Sequence, residues 1–248
     1  MNFTNTCSDP KKTNLYRVQT ILSDLTHVFF PVLCQGCGSD IMSPGQLLCL
    51  RCQLSLKETR FADFENNPVE KIWWGRLPVE AAMSQFYFTK NSLLQDLIHQ
   101  LKYKNNKEIG IYFGRAMGHS IRNSIRFTDL KLILPLPLFP DKEKQRGYNQ
   151  ASLLCQGIAE VLQLPVNEHA LRRLRYTDTQ THKNRMERWQ NVEGVFAAAH
   201  NHDLENKTVL LVDDVVTTGA TLEACGSAML EDVGGLRMCI ATLAYADN

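Results

Sequence analysis

One stretch of thirteen residues, 209–221, constrains the fold of this chain more than any other part of it. It opens with the aliphatic run Val-Leu-Leu-Val, which is typical of a strand buried on both faces of a parallel sheet. Asp213 and Asp214 follow directly, where we expect the strand to leave the core. Apolar residues then recur at helical spacing from Leu222 onwards, and two glycines end the pattern. The stretch therefore predicts a strand, an acidic turn and a helix.

The turn after the acids has the composition of a phosphate site. The backbone N–H groups and the positive end of the following helix point into one concavity, to which hydroxyls add donors and glycine gives close access. Two carboxylates beside a phosphate repel it unless they bind sugar hydroxyls or carry Mg²⁺. A phosphorylated ribose fits both parts of the stretch, because its hydroxyls can face the acids and its phosphate can face the turn. The alternative is an Asp-rich turn without a ligand, whereas a P-loop is excluded because its lysine element is missing. The turn residues are Thr217, Thr218, Gly219, Ala220 and Thr221.

Composition restricts the function less than this stretch does. The 248 residues, 44% of them hydrophobic, fit one large or two smaller domains. A net charge of +1 gives no overall attraction to nucleic acid or membranes, so any basic patch must be local. Residues 1–13 are polar and precede no apolar stretch long enough for a signal peptide or a membrane span. We therefore expect a cytoplasmic protein.

Four cysteines form two Cys-x-x-Cys pairs, and each pair can present two thiolates in a turn. Four such ligands suit tetrahedral Zn²⁺, although the eleven residues between the pairs are fewer than in the usual zinc ribbon. A disulfide is less expected without a secretory signal, and two neighbouring copies argue against a redox motif. We predict one structural zinc ion. Its ligands are Cys34, Cys37, Cys49 and Cys52.

Hydrophobic periodicity places the other elements with less detail. Residues 53–78 are predicted to be a linker and a partly ordered approach to the next strand, and Trp73-Trp74 to lie in the core rather than on an exposed stacking platform. A helix from Leu15 to Phe29 is expected before the cysteines. The other predicted helices are 92–102, 108–124 and 150–163, and the other predicted strands are 79–88, 131–138, taken as the first buried strand of the sheet, and 236–244.

The stretch from Val209 resembles the ribose-5-phosphate motif of type I phosphoribosyltransferases. The order of motifs over about residues 25–245 resembles the ComF/GntX family, which is commonly described as predicted amidophosphoribosyltransferases and includes DNA-uptake proteins of natural transformation. Tyr148 stands where the family more often has phenylalanine. The motifs are the four-cysteine knuckle, Leu-Lys-Tyr from Leu101, Leu-Pro-Leu-Pro-Leu from Leu134, Arg146-Gly-Tyr-Asn-Gln150, Thr177-x-x-Gln180-x-x-x-x-Arg185 and the final acidic stretch.

The resemblance implies an α/β protein of the type I phosphoribosyltransferase fold, with a mainly parallel sheet flanked by helices. It also implies three parts, namely an N-terminal extension and helix (1–30), a zinc knuckle (31–60) and a phosphoribosyltransferase-like domain (61–248). The ligand is expected at the carboxyl ends of the strands. It would be phosphoribosyl pyrophosphate (PRPP) with Mg²⁺, or another ribose 5-phosphate compound.

In such a site Asp213 and Asp214 would hold the ribose or its Mg²⁺, and residues 217–221 would bind the 5-phosphate. Arg146 would bind the pyrophosphate. The alternative is that Arg146 only stands at the solvent-exposed start of a helix. Lys183 or Arg185 would join Arg146 as part of a catalytic loop. The protein would then transfer or hydrolyse the phosphoribosyl group, to an acceptor that the sequence does not identify.

The basic segment 172–188 leaves two functions open. It resembles the loop that closes over PRPP in phosphoribosyltransferases, but its cations beside Tyr176 and Trp189 also suit a nucleic-acid backbone with base stacking. The alternative function is therefore a DNA-uptake factor that binds single-stranded DNA and keeps the PRPP site as a sensor or relic. Its partners would be a second copy or uptake machinery. The cations are Arg172, Arg173, Arg175, Lys183, Arg185 and Arg188.

Overall fold

The computed structural model describes residues 32–43, 45–174, 196–198 and 203–246. The helix predicted between Leu15 and Phe29, and the predicted catalytic residues Lys183 and Arg185, lie outside this part of the chain. The chain divides into two compact units, 1–53 and 54–248, which are described one at a time.

The smaller unit is a set of tight turns around its cysteines. Cys34 N–H donates to Ser39 O over 2.8 Å, and Gln35 N–H donates to Leu47 O over 3.0 Å. Gly38 and Gly45 have positive φ angles of 72° and 82°, which glycine adopts without steric cost. A helix, α1 (Leu50–Ser55), begins directly after Cys49 and contains Cys52, the second cysteine of that pair.

The larger unit is built on a four-stranded parallel sheet in the order β1-β6-β5-β2. Because the strands are parallel, their carboxyl ends lie along one edge. A separate antiparallel pair joins β3 to β4. The strands are β1 (Ala81–Tyr87), β2 (Leu130–Pro135), β3 (Leu171–Arg173), β4 (Phe196–Ala198), β5 (Thr208–Val216) and β6 (Arg237–Tyr245).

Helices flank the sheet, as the predicted fold class requires. Short 3₁₀ turns occupy Phe61–Asp63 and Ile125–Phe127. None of the helices described here is long and apolar enough to cross a membrane. The helices of this unit are α2 (Pro68–Lys71), α3 (Leu93–Tyr103), α4 (Lys107–Asn123), α5 (Pro140–Arg146), α6 (Gln150–Leu162) and α7 (Ala220–Asp232).

Helices α4 and α6 pack at unusually short range because glycines line their contact. A Cβ atom on Gly114 would lie 2.2 Å from the carbonyl oxygen of Leu154, and one on Gly157 would lie 2.3 Å from that of Ile111. Helix α4 also packs on β1 and β6, and α6 packs on β2 and β5. The cap residue of α6, Asn149, donates to the carbonyl of Leu136 just beyond the end of β2, so α6 begins at the carboxyl edge of the sheet.

The prediction of a linker for residues 53–78 is wrong over much of this segment. The buried amide of Asn67 donates to the carbonyls of Phe61, Phe64 and Ala82 over 2.9–3.1 Å. Trp73 is 1% exposed, as predicted for a core residue, but the same prediction is wrong for Trp74, which is 56% exposed. The segment is part of the folded domain, since several of its apolar side chains are buried. The sequence did not reveal this because these side chains do not recur with the periodicity of a helix or a strand.

Two strand predictions also need correction. The strand predicted first in the sheet, 131–138, is β2 and lies at one edge, while the sheet begins in the chain with β1, which pairs with β6. The strand predicted to end before the acids continues to Val216, and Asp213 pairs in register with Thr242 of β6. The acids are therefore held by the sheet ladder itself.

Candidate functional site

The two acids lie near the carboxyl end of the central strand β5. Asp214 is buried and Asp213 is half-buried. The backbone N–H of Asp214 donates to Asp213 Oδ1 over 2.8 Å. Burial and the neighbouring charge of Asp214 raise the pKa of Asp213 from its ordinary 3.8 to about 7. Asp213 thus changes its charge near neutral pH and can both accept and donate hydrogen bonds there.

A lysine from helix α3 faces the acid pair. Lys102 Nζ lies 2.7 Å from Asp214 Oδ2, and the two side chains are 23% and 12% exposed. Burial by itself lowers the pKa of Lys102, but attraction to Asp214 and Asp213 outweighs it and raises the pKa. Sequence reasoning noted the Leu-Lys-Tyr motif but gave Lys102 no role. The available signal was a cation in the last turn of an amphipathic helix.

The end of α3 is attached to the segment that carries Arg146. The Tyr148 hydroxyl donates to the carbonyl of Leu101. The guanidinium of Arg146 lies 5.3 Å from the centre of the Tyr103 ring, a cation–π distance. Arg146 is the last residue of α5, a helix that sequence reasoning did not predict. These contacts bring the Leu-Lys-Tyr and Arg-Gly-Tyr-Asn-Gln motifs together beside the acids.

Gln150, next to Arg146, has a buried polar atom without a hydrogen-bond partner among the described residues. It is 2% exposed, and its Oε1 accepts a hydrogen bond from Arg146 Nη1 over 2.6 Å. Its Nε2 has no hydrogen-bond partner in the described part of the chain. Buried donors in native proteins are nearly always paired. A ligand oxygen is the kind of group that would complete this one.

The turn between β5 and α7 is the predicted phosphate turn, and it leads directly into a helix start. Thr217 and Thr218 are exposed, and α7 begins at Ala220, so the N–H groups of its first turn have no helical carbonyl to bond and are available to an anion. Gly219 has a φ of 72°, and a Cβ there would lie 2.5 Å from Ile72 Cγ2. Only glycine fits this position without a shift of neighbouring atoms.

Trp73 supports the turn from behind. Its Nε1 donates to the carbonyl of Gly219 over 3.3 Å. In the first turn of α7, the buried carboxylate of Glu223 pairs with Arg76 at 2.6 Å. Sequence reasoning placed the tryptophan in the core but missed its contact with the turn, because the two are separated by 146 residues.

The basic segment is only partly described. Arg172 and Arg173 lie in β3, where they pair with β4, so the prediction of one irregular loop from Arg172 is wrong for these two residues. The guanidinium of Arg173 lies 5.4 Å from the Phe196 ring centre. The other cations of the segment lie outside the described residues.

In the smaller unit, the four predicted zinc ligands converge. All four sulfur atoms lie within 4.8 Å of one another, and Cys37 Sγ is 3.6 Å from Cys49 Sγ. Tetrahedral zinc with bonds of about 2.3 Å separates its sulfurs by about 3.8 Å, so the cluster fits this ion. No disulfide joins any of the described cysteines.

Backbone donors favour a thiolate at Cys34. Its sulfur accepts N–H groups from Cys49 over 3.2 Å and from Gly36 over 3.4 Å. Burial raises the pKa of Cys34, but these backbone hydrogen bonds outweigh it and lower the pKa to about 6. The thiolate is the form that binds metal.

Comparison with known proteins agrees with this geometry. The family model "Phosphoribosyl transferase domain" matches residues 151–248. Competence protein F of Haemophilus influenzae is 28% identical over 215 residues, covering 83% of this chain and 93% of that protein. Competence protein ComFC of Bacillus subtilis is 28% identical over 204 residues, covering 77% and 81%. The chain is therefore similar to phosphoribosyltransferase-like proteins of the ComF family. A third relative, the DNA utilization protein YhgH of Shigella flexneri, is 32% identical over 142 residues, and the match spans 62% of its length.

Proposed function

We propose that this protein binds PRPP together with Mg²⁺ and transfers or hydrolyses its phosphoribosyl group. The observation that carries the proposal is the acid pair at the carboxyl end of β5, followed at once by the Gly219 turn and the start of α7. Carboxylates for ribose hydroxyls and N–H groups for a phosphate stand one turn apart, as a ribose 5-phosphate requires.

In this proposal each of the site residues named above contacts a particular part of the ligand. The N–H groups of residues 217–221 donate to the 5-phosphate, and Asp213 accepts from the ribose hydroxyls. Arg146, fixed by Tyr103 and Gln150, binds the pyrophosphate oxygens. Mg²⁺, when bound through Asp213 or Asp214, supplies positive charge to the departing pyrophosphate. Lys183 and Arg185 remain predicted members of the closing loop.

The proposal is tested by ligand titration and by product detection. PRPP with Mg²⁺ should bind the full chain in calorimetry at micromolar to low millimolar concentration, and inorganic pyrophosphate should be released when an acceptor or water attacks the anomeric carbon. Binding without pyrophosphate release would favour a sensor over an enzyme. Absence of binding at millimolar PRPP to folded protein would contradict the proposal.

A second candidate function, binding of single-stranded DNA, is favoured by the names of the three relatives, two called competence proteins and one a DNA utilization protein. In that case the affinity should fall by about 0.7 log units per neutralised phosphate for each tenfold rise in salt. Arg172→Ala plus Arg175→Ala should flatten this slope. Arg173 is left in place because its guanidinium packs over Phe196.

The control for the DNA experiment removes two exposed cations elsewhere, by Lys57→Ala plus Arg122→Ala. Fluorescence anisotropy with a labelled oligonucleotide at several salt concentrations measures both slopes. Equal slopes for the two double variants would contradict a role for the basic segment in DNA binding. Weak, salt-insensitive binding by the wild type would contradict the DNA function itself.

We also propose that Cys34, Cys37, Cys49 and Cys52 hold one structural zinc ion, and that the knuckle forms a part of the chain separate from the phosphoribosyltransferase-like domain. The convergence of four sulfurs supports this ligand set. Metal binding to such a site contributes directly to folding, because the ligands are not assembled in the unfolded chain.

A further inference from the structure

The acid pair of the phosphoribosyl site already has a cation of its own. Lys102 Nζ touches Asp214 Oδ2 at 2.7 Å, and this side chain is largely but not fully buried. Two adjacent carboxylates would otherwise repel the phosphate that the neighbouring turn is built to receive. With Lys102 in place, one of the two negative charges is neutralised before any ligand arrives.

Lys102 lies on a helix whose end is held in place by contacts with neighbouring residues. It lies in the last turn of α3, between Leu101, whose carbonyl accepts from the Tyr148 hydroxyl, and Tyr103, whose ring contacts Arg146. Both anchors belong to the segment that leads into α6. The ammonium therefore has a position set by packing on both sides of it in the sequence.

We propose that Lys102 is the resident counter-ion of the acid pair and a positioning residue of the site, holding Asp214 so that an anionic sugar phosphate binds without a metal ion. This inference rests on the proposed function. Asp213 then remains for the ribose hydroxyls, and Mg²⁺ competes with the ammonium for Asp214. The negative charge of Asp214 can therefore be neutralised either by the ammonium of Lys102 or by Mg²⁺ from solution.

The test uses ribose 5-phosphate, because it has the sugar and the 5-phosphate but no pyrophosphate to recruit Mg²⁺. Binding to the full chain is measured by calorimetry in EDTA and again in 5 to 10 mM Mg²⁺. The variants are Lys102→Met, the conservative Lys102→Arg, and Lys104→Met, which removes the same charge from an exposed position two residues away. Circular dichroism confirms that each variant is folded.

In EDTA, Lys102→Met should bind ribose 5-phosphate at least about tenfold more weakly than wild type. Lys104→Met should remain within about twofold, and Lys102→Arg should retain much of the affinity. Mg²⁺ should restore binding to Lys102→Met while changing wild type little. A merely structural role of Lys102 would not produce this rescue by a cation.

Three results would overturn the inference. Lys102→Met could bind as well as wild type in EDTA, or it could lose affinity that Mg²⁺ does not restore. In both cases the proposed function survives, because wild type still binds. If wild type binds neither ribose 5-phosphate nor PRPP in either buffer, the proposed function fails and the role of Lys102 fails with it.

Discussion

Asp213 is unfavourable for folding at neutral pH. Its half-buried carboxyl lies next to Asp214, and burial and that neighbouring charge raise its pKa to about 7. The folded protein therefore holds a proton on Asp213 between pH 4 and 7 that the unfolded chain releases. Stability contributed by this group is present at low pH and is lost as the pH rises towards 7. Such a cost is expected where a carboxylate serves a ligand.

Replacing Asp213 by asparagine should remove this loss. The free energy of unfolding of Asp213→Asn should match wild type near pH 4 and exceed it by about 1 to 3 kcal/mol near pH 7.5, since a pKa difference of one corresponds to about 1.4 kcal/mol and partial exposure reduces the effect. Urea denaturation at several pH values measures the difference. If the two stabilities stay parallel across this range, the raised pKa is wrong.

Single residues were predictable where their chemistry is local in sequence. The acids, the threonines and Gly219 stand within one stretch, so their types and order suffice to predict a phosphate turn. The pairing of Lys102 with Asp214 could not be predicted, because it depends on how α3 approaches β5 across more than a hundred residues of chain. Trp73 illustrates the same limit, since its burial was predicted but its hydrogen bond to Gly219 was not.

At the scale of elements, long periodic segments were predicted well. Helices expected at 92–102, 108–124 and 150–163 correspond to α3, α4 and α6. The segment 53–78 was misjudged because its order comes from isolated anchors such as Asn67 rather than from periodicity. The end of β5 was misplaced because pairing with β6 continues past the polar acids, which local hydrophobicity does not reveal.

The contact between α4 and α6 should tolerate no added side chain. Gly114→Ala should lower the free energy of unfolding by about 2 kcal/mol, because its Cβ would lie 2.2 Å from the Leu154 carbonyl oxygen and forced backbone shifts exceed the helix-propensity gain of about 1 kcal/mol. Gly234→Ala is the control, since no atom lies within 4 Å of its added Cβ. Equal stabilities of the two variants in chemical denaturation would disprove the close packing.

At the scale of the whole molecule, the fold class was predictable because one strongly constrained stretch carries a resemblance that the order of the other motifs supports. The parallel sheet flanked by helices confirms that prediction. The proposed division into a zinc knuckle and a phosphoribosyltransferase-like domain stays a prediction. It follows from the cysteine spacing, and its direct consequence is metal content.

Protein purified under reducing conditions without chelator should contain about one zinc per chain, because four converging thiolates close a structural site. Cys49→Ser plus Cys52→Ser should abolish the metal, whereas Cys225→Ser, which alters a buried cysteine of α7 outside the cluster, should leave it unchanged. Elemental analysis by mass spectrometry decides the matter. Unchanged zinc in the double variant would exclude this ligand set.

The central claim is that the acid pair and the turn after it bind PRPP, and calorimetric titration of PRPP with Mg²⁺ tests it most directly. Asp213→Asn plus Asp214→Asn should weaken binding at least tenfold relative to wild type while the variant remains folded. Glu231→Gln, at the opposite end of α7, should leave binding unchanged. Equal affinity of wild type and the double asparagine variant, or no binding by folded wild type at millimolar PRPP, would contradict the claim.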